Sequence, residues 1–212
     1  MNIIILGPQG SGKDTQAELL SKKLGIPIIS AGQICRKEAE KNTTRAKKIK
    51  SIMLKGEFIP SKWMLEFILE RINSPRCKKG FILEGYPRLK EYLDDMKNKI
   101  KIDAVFRINV SNKETIRRLT NRRYCRKCNS HYNLITSKPK RPTICDKCDS
   151  KLVQRADDKP EAIKRRLNIY HENAKYIFDY FLKNKLLVEI NGEQSAEKVH
   201  KDVMKELKKR VK

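Results

Sequence analysis

Five short hydrophobic runs alternate along the chain with longer stretches in which hydrophobic residues recur at helical spacing. Each run is rich in Ile, Val, Leu or Phe throughout, which is typical of strands buried on both faces of a parallel sheet. The runs cover residues 2–6, 27–30, 80–84, 104–110 and 186–190. The pattern therefore predicts an α/β fold in which helices cover both faces of a five-stranded parallel sheet.

Two segments interrupt this alternation. Residues 31–59 have helical spacing with a break at Gly56 and contain no strand pattern. Residues 121–158 are marked by cysteine, lysine and proline and have a different character. We predict that the first segment forms a small helical lobe, and that the second forms a β-type lobe held together by its cysteines.

A glycine-rich loop with the sequence GPQGSGKDT occupies residues 7–15, between the first predicted strand and a helical pattern. Glycines let backbone N–H groups curl around phosphate oxygens, and the helix N-terminus adds partial positive charge. Lys13 can bridge the terminal phosphates of a nucleotide. Asp14 stands where Ser or Thr usually follows the lysine, so Thr15 is the candidate hydroxyl near Mg²⁺. The loop predicts a nucleoside triphosphate site.

No hydrophobic run approaches the roughly 18 to 20 residues of a membrane span. The first strand follows directly after Met1 and Asn2, which leaves no room for a signal peptide. We therefore expect a cytoplasmic protein that does not engage a membrane. In a reducing compartment, six cysteines suggest metal binding before disulfides.

Four of the cysteines form two C-x2-C pairs separated by 16 residues, and these are Cys125, Cys128, Cys145 and Cys148. This spacing is typical of a structural Zn²⁺ site with one ion per chain. Four protein ligands leave no open position for water, so the metal is expected to hold the lobe together without entering the chemistry. An iron–sulfur cluster, two disulfides or four reduced thiols are the alternatives. Cys35 and Cys77 are expected to be ordinary half-buried thiols.

The formal net charge is +24, from 49 Lys and Arg against 25 Asp and Glu. Residues 121–155 alone hold ten Lys and Arg against two Asp, which opens the alternative of a zinc-ribbon protein that binds nucleic acid. Much of the excess is lysine scattered along helix-like segments, which is typical of solvated faces. We therefore expect nucleic-acid binding to be at most nonspecific.

Phosphoryl transfer requires a protein to place two phosphate groups in line and to neutralise charge on the moving one. Several arginines that converge from different segments, together with Mg²⁺, meet that requirement. The candidates are Arg36, Arg88, Arg118, Arg122, Arg123, Arg155 and Arg166.

These motifs, in this order and over nearly the whole chain, resemble those of adenylate kinases and related nucleoside monophosphate kinases. The cysteine-rich insert is similar to the lid of the zinc-containing members. The matching motifs are the loop 7–16; Ser30-Ala31-Gly32 with Arg36; Glu84-Gly85-Tyr86-Pro87-Arg88, similar to Asp-Gly-Phe-Pro-Arg; Arg118 with Arg122-Arg123; Arg155-Ala156-Asp157-Asp158; and Arg166.

The resemblance implies a P-loop three-layer sandwich whose core comprises residues 1–29, 60–120 and 159–212. It also implies a lobe for the nucleoside monophosphate at 30–59 and a zinc-binding lid at 121–158. The implied reaction is ATP + AMP to two ADP with Mg²⁺, in a monomer without an obligate protein partner. Kinases for UMP or CMP remain alternatives, as does a kinase-like scaffold that has lost turnover.

The resemblance also implies residue roles. The ATP-binding set is Gly10, Ser11, Gly12, Lys13, Asp14, Thr15, Arg118, Arg122, His131, Tyr132 and Gln194. The AMP-binding set is Ala31, Arg36, Glu57, Phe58, Ile59, Gly85, Arg88, Tyr92, Arg155 and Arg166. The catalytic set is Lys13, Arg88, Arg122, Arg155, Arg166 and Glu84, the last orienting waters of Mg²⁺. Asp157 and Asp158 would pair with arginines and steady lid closure.

Four residues depart from the family pattern near the substrates. Asp14 replaces the usual glycine, and we expect its carboxylate to point outward, away from the polyphosphate. Glu84 replaces aspartate and adds one methylene. Ala31 replaces a threonine and Tyr92 a glutamine that commonly reads adenine, so the resemblance supports monophosphate kinase activity more firmly than it supports AMP as acceptor.

Overall fold

The computed structural model describes residues 1–128, 130–155, 158 and 160–210. Five parallel strands form the central sheet: β1 (Asn2–Leu6), β2 (Ile28–Ser30), β3 (Phe81–Glu84), β4 (Ala104–Asn109) and, at its far edge, β8 (Leu187–Asn191). The three strands of the cysteine-rich insert are numbered between β4 and β8, in chain order. Their order in space is β2-β3-β1-β4-β8. The five predicted strands are confirmed, and their ends differ from the prediction by at most one residue.

Helices lie on both faces of this sheet. They are α1 (Lys13–Leu24), α2 (Ala31–Ala39), α3 (Thr44–Leu54), α4 (Ser61–Ile72), α5 (Lys90–Met96), α6 (Asn112–Thr120), α7 (Pro160–Lys183) and α8 (Ala196–Arg210), with a 3-10 turn at Pro75–Cys77. Among the helices of the described ranges, none combines the length and the apolar character that a membrane span requires.

Successive side chains of β1 enter two different hydrophobic cores. Ile3 and Ile5 pack on the face that α1 and α8 cover. Ile4 and Leu6 pack on the opposite face, against residues of α2 to α5 and α7. Because side chains alternate across a strand, a fully hydrophobic strand must be covered on both sides. The predicted three-layer α/β sandwich is therefore confirmed.

The helical segment between β2 and α4 consists of α2 and α3, as predicted. Each helix begins at a hydroxyl cap: Ser30 Oγ accepts a hydrogen bond from the Gln33 amide at 3.3 Å, and Thr43 Oγ1 accepts one from the Ala46 amide at 3.0 Å. These caps satisfy amides that a helix cannot pair internally.

The cysteine-rich insert forms a small antiparallel sheet of the predicted β type. Its strands are β5 (Arg122–Cys125), β6 (His131–Asn133) and β7 (Leu152–Val153), in the spatial order β6-β5-β7. A small buried cluster of Cys125, Cys145 and Leu152 lies within it.

Candidate functional site

The glycine-rich loop connects the carboxyl end of β1 to the first turn of α1. Gly10 and Gly12 have φ values of +76° and +91°, a region that side-chain-bearing residues rarely adopt. A Cβ on Gly10 would also lie 3.1 Å from Leu119 Cγ. The loop can therefore press against α6 while residues 10–16 line one cleft at the amino end of α1, a position that suits an anion.

Lys13 is buried at the base of this loop, with 4% of its surface exposed. Its Nζ donates a hydrogen bond to the Pro8 carbonyl at 3.2 Å and lies 3.7 Å from Glu84 Oε1. Burial, reinforced by the positive charge of Arg88, lowers the pKa of Lys13 to about 8. The ammonium therefore lies in a site that gains from a negatively charged ligand.

Glu84 ends β3, directly beside the end of β2. Ser30 Oγ donates to Glu84 Oε2 at 2.6 Å, and only 3% of the glutamate is exposed. Burial raises the pKa of Glu84, and the neighbouring Asp14 carboxyl raises it further.

The expectation that Asp14 points outward is wrong. Asp14 lines both cavities of the site, beside Lys13 and Glu84. Burial opposes its ionisation, but Lys13 and Glu84 outweigh burial and hold the pKa of Asp14 below its usual range. The carboxylate turns inward because Lys13 and Glu84 give it partners there.

One cavity lies between the helical segment, the loop after β3 and the start of α7. It is lined by every residue of the predicted AMP-binding set, Ala31, Arg36, Glu57, Phe58, Ile59, Gly85, Arg88, Tyr92, Arg155 and Arg166. Gly85 has a φ of +74°, and Arg88 Nε donates to its carbonyl at 2.8 Å. A Cβ on Gly85 would lie 2.9 Å from Arg88 Nη2, so the glycine allows the arginine to lie across this turn.

A second cavity lies between the loop, α6, the lid and the start of α8. It is lined by every residue of the predicted ATP-binding set, Gly10, Ser11, Gly12, Lys13, Asp14, Thr15, Arg118, Arg122, His131, Tyr132 and Gln194. Arg118 is held in place by Glu114 Oε1 at 2.6 Å and the Gly192 carbonyl at 2.9 Å. Burial, aided by Arg155, lowers the pKa of His131 to about 4.

Lys13, Asp14 and Arg122 line both cavities, so the two cavities meet at these side chains. Arg155 also lines the first cavity. Arg122 and Arg155 are among the ten Lys and Arg of residues 121–155 that motivate the nucleic-acid alternative. Arg123 follows Arg122 on β5 and lines neither cavity.

The lid is joined to the site through Asp158, which is 3% exposed. Its carboxylate pairs with Arg122 and lies 3.8 Å from Arg166 Nη2. The arginine pairing expected of Asp158 is therefore present. Asp157, for which the same role is expected, lies outside the described residues.

The four lid cysteines bring their sulfurs together. All four Sγ atoms lie within 4.8 Å of one another, with Cys125 to Cys148 at 3.4 Å and Cys128 to Cys145 at 3.5 Å. Tetrahedral zinc with Zn–S bonds of about 2.3 Å requires S–S separations of about 3.8 Å. The cluster therefore fits Zn²⁺.

Sequence reasoning missed several residues that line the first cavity. Cys35, expected to be half-buried, is buried at 9% exposure and stands one helical turn after Ala31, a spacing that could have revealed it. Gln9 lies inside the glycine-rich loop, and this position could have indicated that it lines the cavity. Met53 and Met64 had no signal, because they belong to two different helices, α3 and α4, and only the packing of these helices places both at the cavity. Cys77 is also buried rather than half-buried.

The sequence model of one protein family, described as adenylate kinase, matches residues 5–186. This chain belongs to the adenylate kinase family. It is 42% identical over 216 residues to an adenylate kinase of Methanocella arvoryzae, with 99% of each chain covered. It is 42% identical over 208 residues to that of Archaeoglobus fulgidus, with 96% of each covered. The adenylate kinase of Caldanaerobacter subterraneus is 39% identical over 214 residues, 98% of this chain and 96% of that one.

Membership of the adenylate kinase family makes the protein a phosphotransferase that uses ATP together with Mg²⁺. The donor set fits such a cation. Asp14 and Glu84 supply carboxylates, and Ser11 Oγ is buried without a hydrogen-bond partner among the described residues. Oxygen ligands of this kind suit Mg²⁺.

Proposed function

We propose that the chain catalyses reversible phosphoryl transfer between ATP and AMP to give two ADP. The observation that carries the proposal is the meeting of the two cavities at Lys13, Asp14 and Arg122. A donor whose phosphates lie on the glycine-rich loop and an acceptor held by Arg36 and Arg88 would face each other at this junction. In-line transfer requires this arrangement.

Positive charge is concentrated where the phosphoryl group would move. Lys13, Arg88, Arg122, Arg155 and Arg166 all line the first cavity. Their role would be electrostatic, because developing charge on the transferred group is stabilised by donors that are already oriented. Bound beside Glu84, Mg²⁺ would supply further neutralisation of phosphate charge.

The acceptor base would be read by Tyr92. Its hydroxyl donates to the Ile59 carbonyl at 2.6 Å, so the phenolic oxygen is left as an acceptor. Adenine presents an amino donor, whereas uracil presents a carbonyl in its place. The apolar side chains of Met53 and Met64 offer a surface for a flat ring. This donor–acceptor match supports AMP over UMP.

The lid at 121–158 and the lobe at 30–59 would close over the substrates and exclude water, which otherwise accepts the phosphoryl group. Asp158 would steady the closed lid through its arginine pairs, and Zn²⁺ would hold the lid together. From the family resemblance we also propose that the chain is a monomer that acts in the cytoplasm without an obligate protein partner.

A coupled assay with MgATP and each of AMP, CMP, UMP and GMP tests this proposal. We expect the highest kcat/KM with AMP. The variant Tyr92→Phe should lower the preference for AMP over UMP about tenfold, the effect of one lost hydrogen bond. Tyr176→Phe, which removes an exposed hydroxyl, is the control. Faster turnover of UMP than of AMP by the unaltered protein would contradict the acceptor assignment.

A further inference from the structure

Tyr132 stands between the four-cysteine cluster and the second cavity, in which the donor nucleotide is expected. It lies on β6 and lines this cavity together with its neighbours His131 and Asn133. Its hydroxyl oxygen lies 3.4 Å from Cys145 Sγ, which belongs to the cluster. The same side chain therefore takes part in the donor cavity and in the surroundings of the metal site.

The direction of hydrogen bonding at the Tyr132 hydroxyl follows from its two partners. The Asp146 backbone amide donates to the hydroxyl oxygen at 2.9 Å, so the hydroxyl is an acceptor there. A cysteine that binds zinc is a thiolate and has no proton to give. The hydroxyl proton of Tyr132 is therefore donated to Cys145 Sγ. Hydrogen bonds of this kind orient metal ligands, and their loss typically lowers metal affinity about 10- to 100-fold.

The strand that carries Tyr132 is held on both sides. In the lid sheet, Tyr132 is paired with Arg123 of β5. Towards the core, Asn133 Nδ2 donates to the Arg118 carbonyl at 2.8 Å, and Arg118 lines the same cavity as Tyr132. Because the backbone of β6 is held in this way, a nucleotide in the cavity would act mainly on the side chain of Tyr132.

We propose that Tyr132 couples nucleotide binding to zinc binding, as a positioning residue whose hydroxyl holds the Cys145 thiolate. ATP in the second cavity would favour the side-chain position in which the hydroxyl reaches the sulfur, and it would thereby raise the affinity for zinc. Zinc would raise the affinity for ATP by the same factor, because such coupling is reciprocal. The inference rests on the part of the proposed function that places ATP in this cavity, and it is independent of the acceptor.

A second hydroxyl in the lid provides a matched control. Ser130 Oγ lies 3.1 Å from Cys128 Sγ, and by the same reasoning it donates to the thiolate when zinc is bound. Ser130 lines neither of the two cavities. Removal of this hydroxyl should therefore weaken zinc binding without changing its dependence on nucleotide.

The test measures the zinc affinity of the full chain by competition with a chromogenic chelator, with and without the Mg²⁺ complex of a non-hydrolysable ATP analogue. In the unaltered protein, we expect the analogue to tighten zinc binding about tenfold. Tyr132→Phe keeps the ring and removes only the hydroxyl, so it should weaken zinc binding about tenfold and reduce the effect of the analogue to less than about twofold. Ser130→Ala should also weaken zinc binding but should keep the full effect of the analogue. Thermal melting of the zinc-loaded proteins checks that each variant is folded.

An effect of the analogue that persists in Tyr132→Phe, or that is absent from the unaltered protein, would overturn the inference. Loss of the effect in both variants would also overturn it, because a weakened lid would then account for the loss. Phosphoryl transfer from ATP to AMP by the unaltered protein would in each of these cases leave the proposed function standing. Coupling that depends on Tyr132, in a protein that transfers no phosphoryl group to AMP, would remove the proposed function alone.

Discussion

Asp158 accepts two hydrogen bonds from the Arg122 guanidinium, at 2.8 Å from Nε and 2.5 Å from Nη2. The two residues stand at opposite ends of the lid segment, and Arg122 lines both cavities. A two-point contact of this kind fixes the plane of the guanidinium. The pair therefore links the position of the lid to the position of the Arg122 guanidinium at the junction of the cavities.

Asp158→Ala should lower both stability and turnover. Breaking a buried ion pair leaves an uncompensated charge and costs about 3 kcal/mol of unfolding free energy, measurable by urea denaturation. Turnover should fall about tenfold or more, because Arg122 loses the contact that orients it. Asp179→Ala removes an exposed carboxylate paired with Lys175 on α7, and its effect on stability should stay below about 1 kcal/mol. Equal losses in the two variants would contradict the role of Asp158.

Arg88→Ala should lower kcat at saturating nucleotide by about a thousandfold while the fold survives, as expected for an arginine that neutralises charge in phosphoryl transfer. Arg88→Lys should recover little, because a lysine cannot bridge two oxygens of one phosphate. The exposed Arg76→Ala is the control. Coupled kinetics and thermal melting measure the two effects separately, and unaltered turnover in Arg88→Ala would refute the acceptor-site assignment.

Stability should fall with acid partly through His131. Its pKa is held near 4 by burial and by Arg155, against an ordinary value of 6.5, so between these values the unfolded chain binds a proton that the folded chain does not. Folding is therefore disfavoured as pH falls through this window, and the contribution is absent above pH 6.5. His131→Gln should lose less melting temperature between pH 6.5 and 4 than the unaltered protein does.

His171→Gln, which alters an exposed histidine on α7, is the control for that comparison. Loss of zinc in acid would affect all three proteins alike, so the difference between the melting curves isolates His131. Parallel curves for His131→Gln and the unaltered protein would rule out this contribution.

Purified protein should contain about one zinc per chain by elemental analysis, and chelation should lower the melting temperature. Cys145→Ser removes one ligand and should abolish stoichiometric zinc. Cys77→Ser, which changes a buried thiol far from the cluster in sequence, should retain it. Intact, reduced protein without stoichiometric metal would contradict the assignment of the four-cysteine site.

Local patterns predicted most of the fold. Hydrophobic residues dominate the sheet strands, as Ile3, Ile4 and Ile5 illustrate, and such runs are stable only between two helical layers. The loop at 7–15 and the C-x2-C pairs were equally readable, because their chemistry depends on residues a few positions apart. Short spacings of this kind can be recognised directly in the sequence.

The orientation of Asp14 could not be read locally. Its position in the first turn of α1 favours a carboxylate near the helix N-terminus but leaves its direction open. Glu84 and Lys13 decide the direction, and Glu84 is contributed by a strand 70 residues away in the sequence. Tyr92 is similar, because its hydroxyl is engaged by Ile59 from a different element.

By itself, therefore, the sequence determined the layered α/β architecture, the phosphate loop, the cysteine set and, through resemblance, the family. These depend on periodicity and on short spacings, which act within one element. Only the tertiary structure decided that two cavities meet at Lys13, Asp14 and Arg122, and that Asp14 turns inward. Those outcomes depend on charges and hydrogen-bond partners that packing brings together from distant segments, and no local pattern encodes their distances.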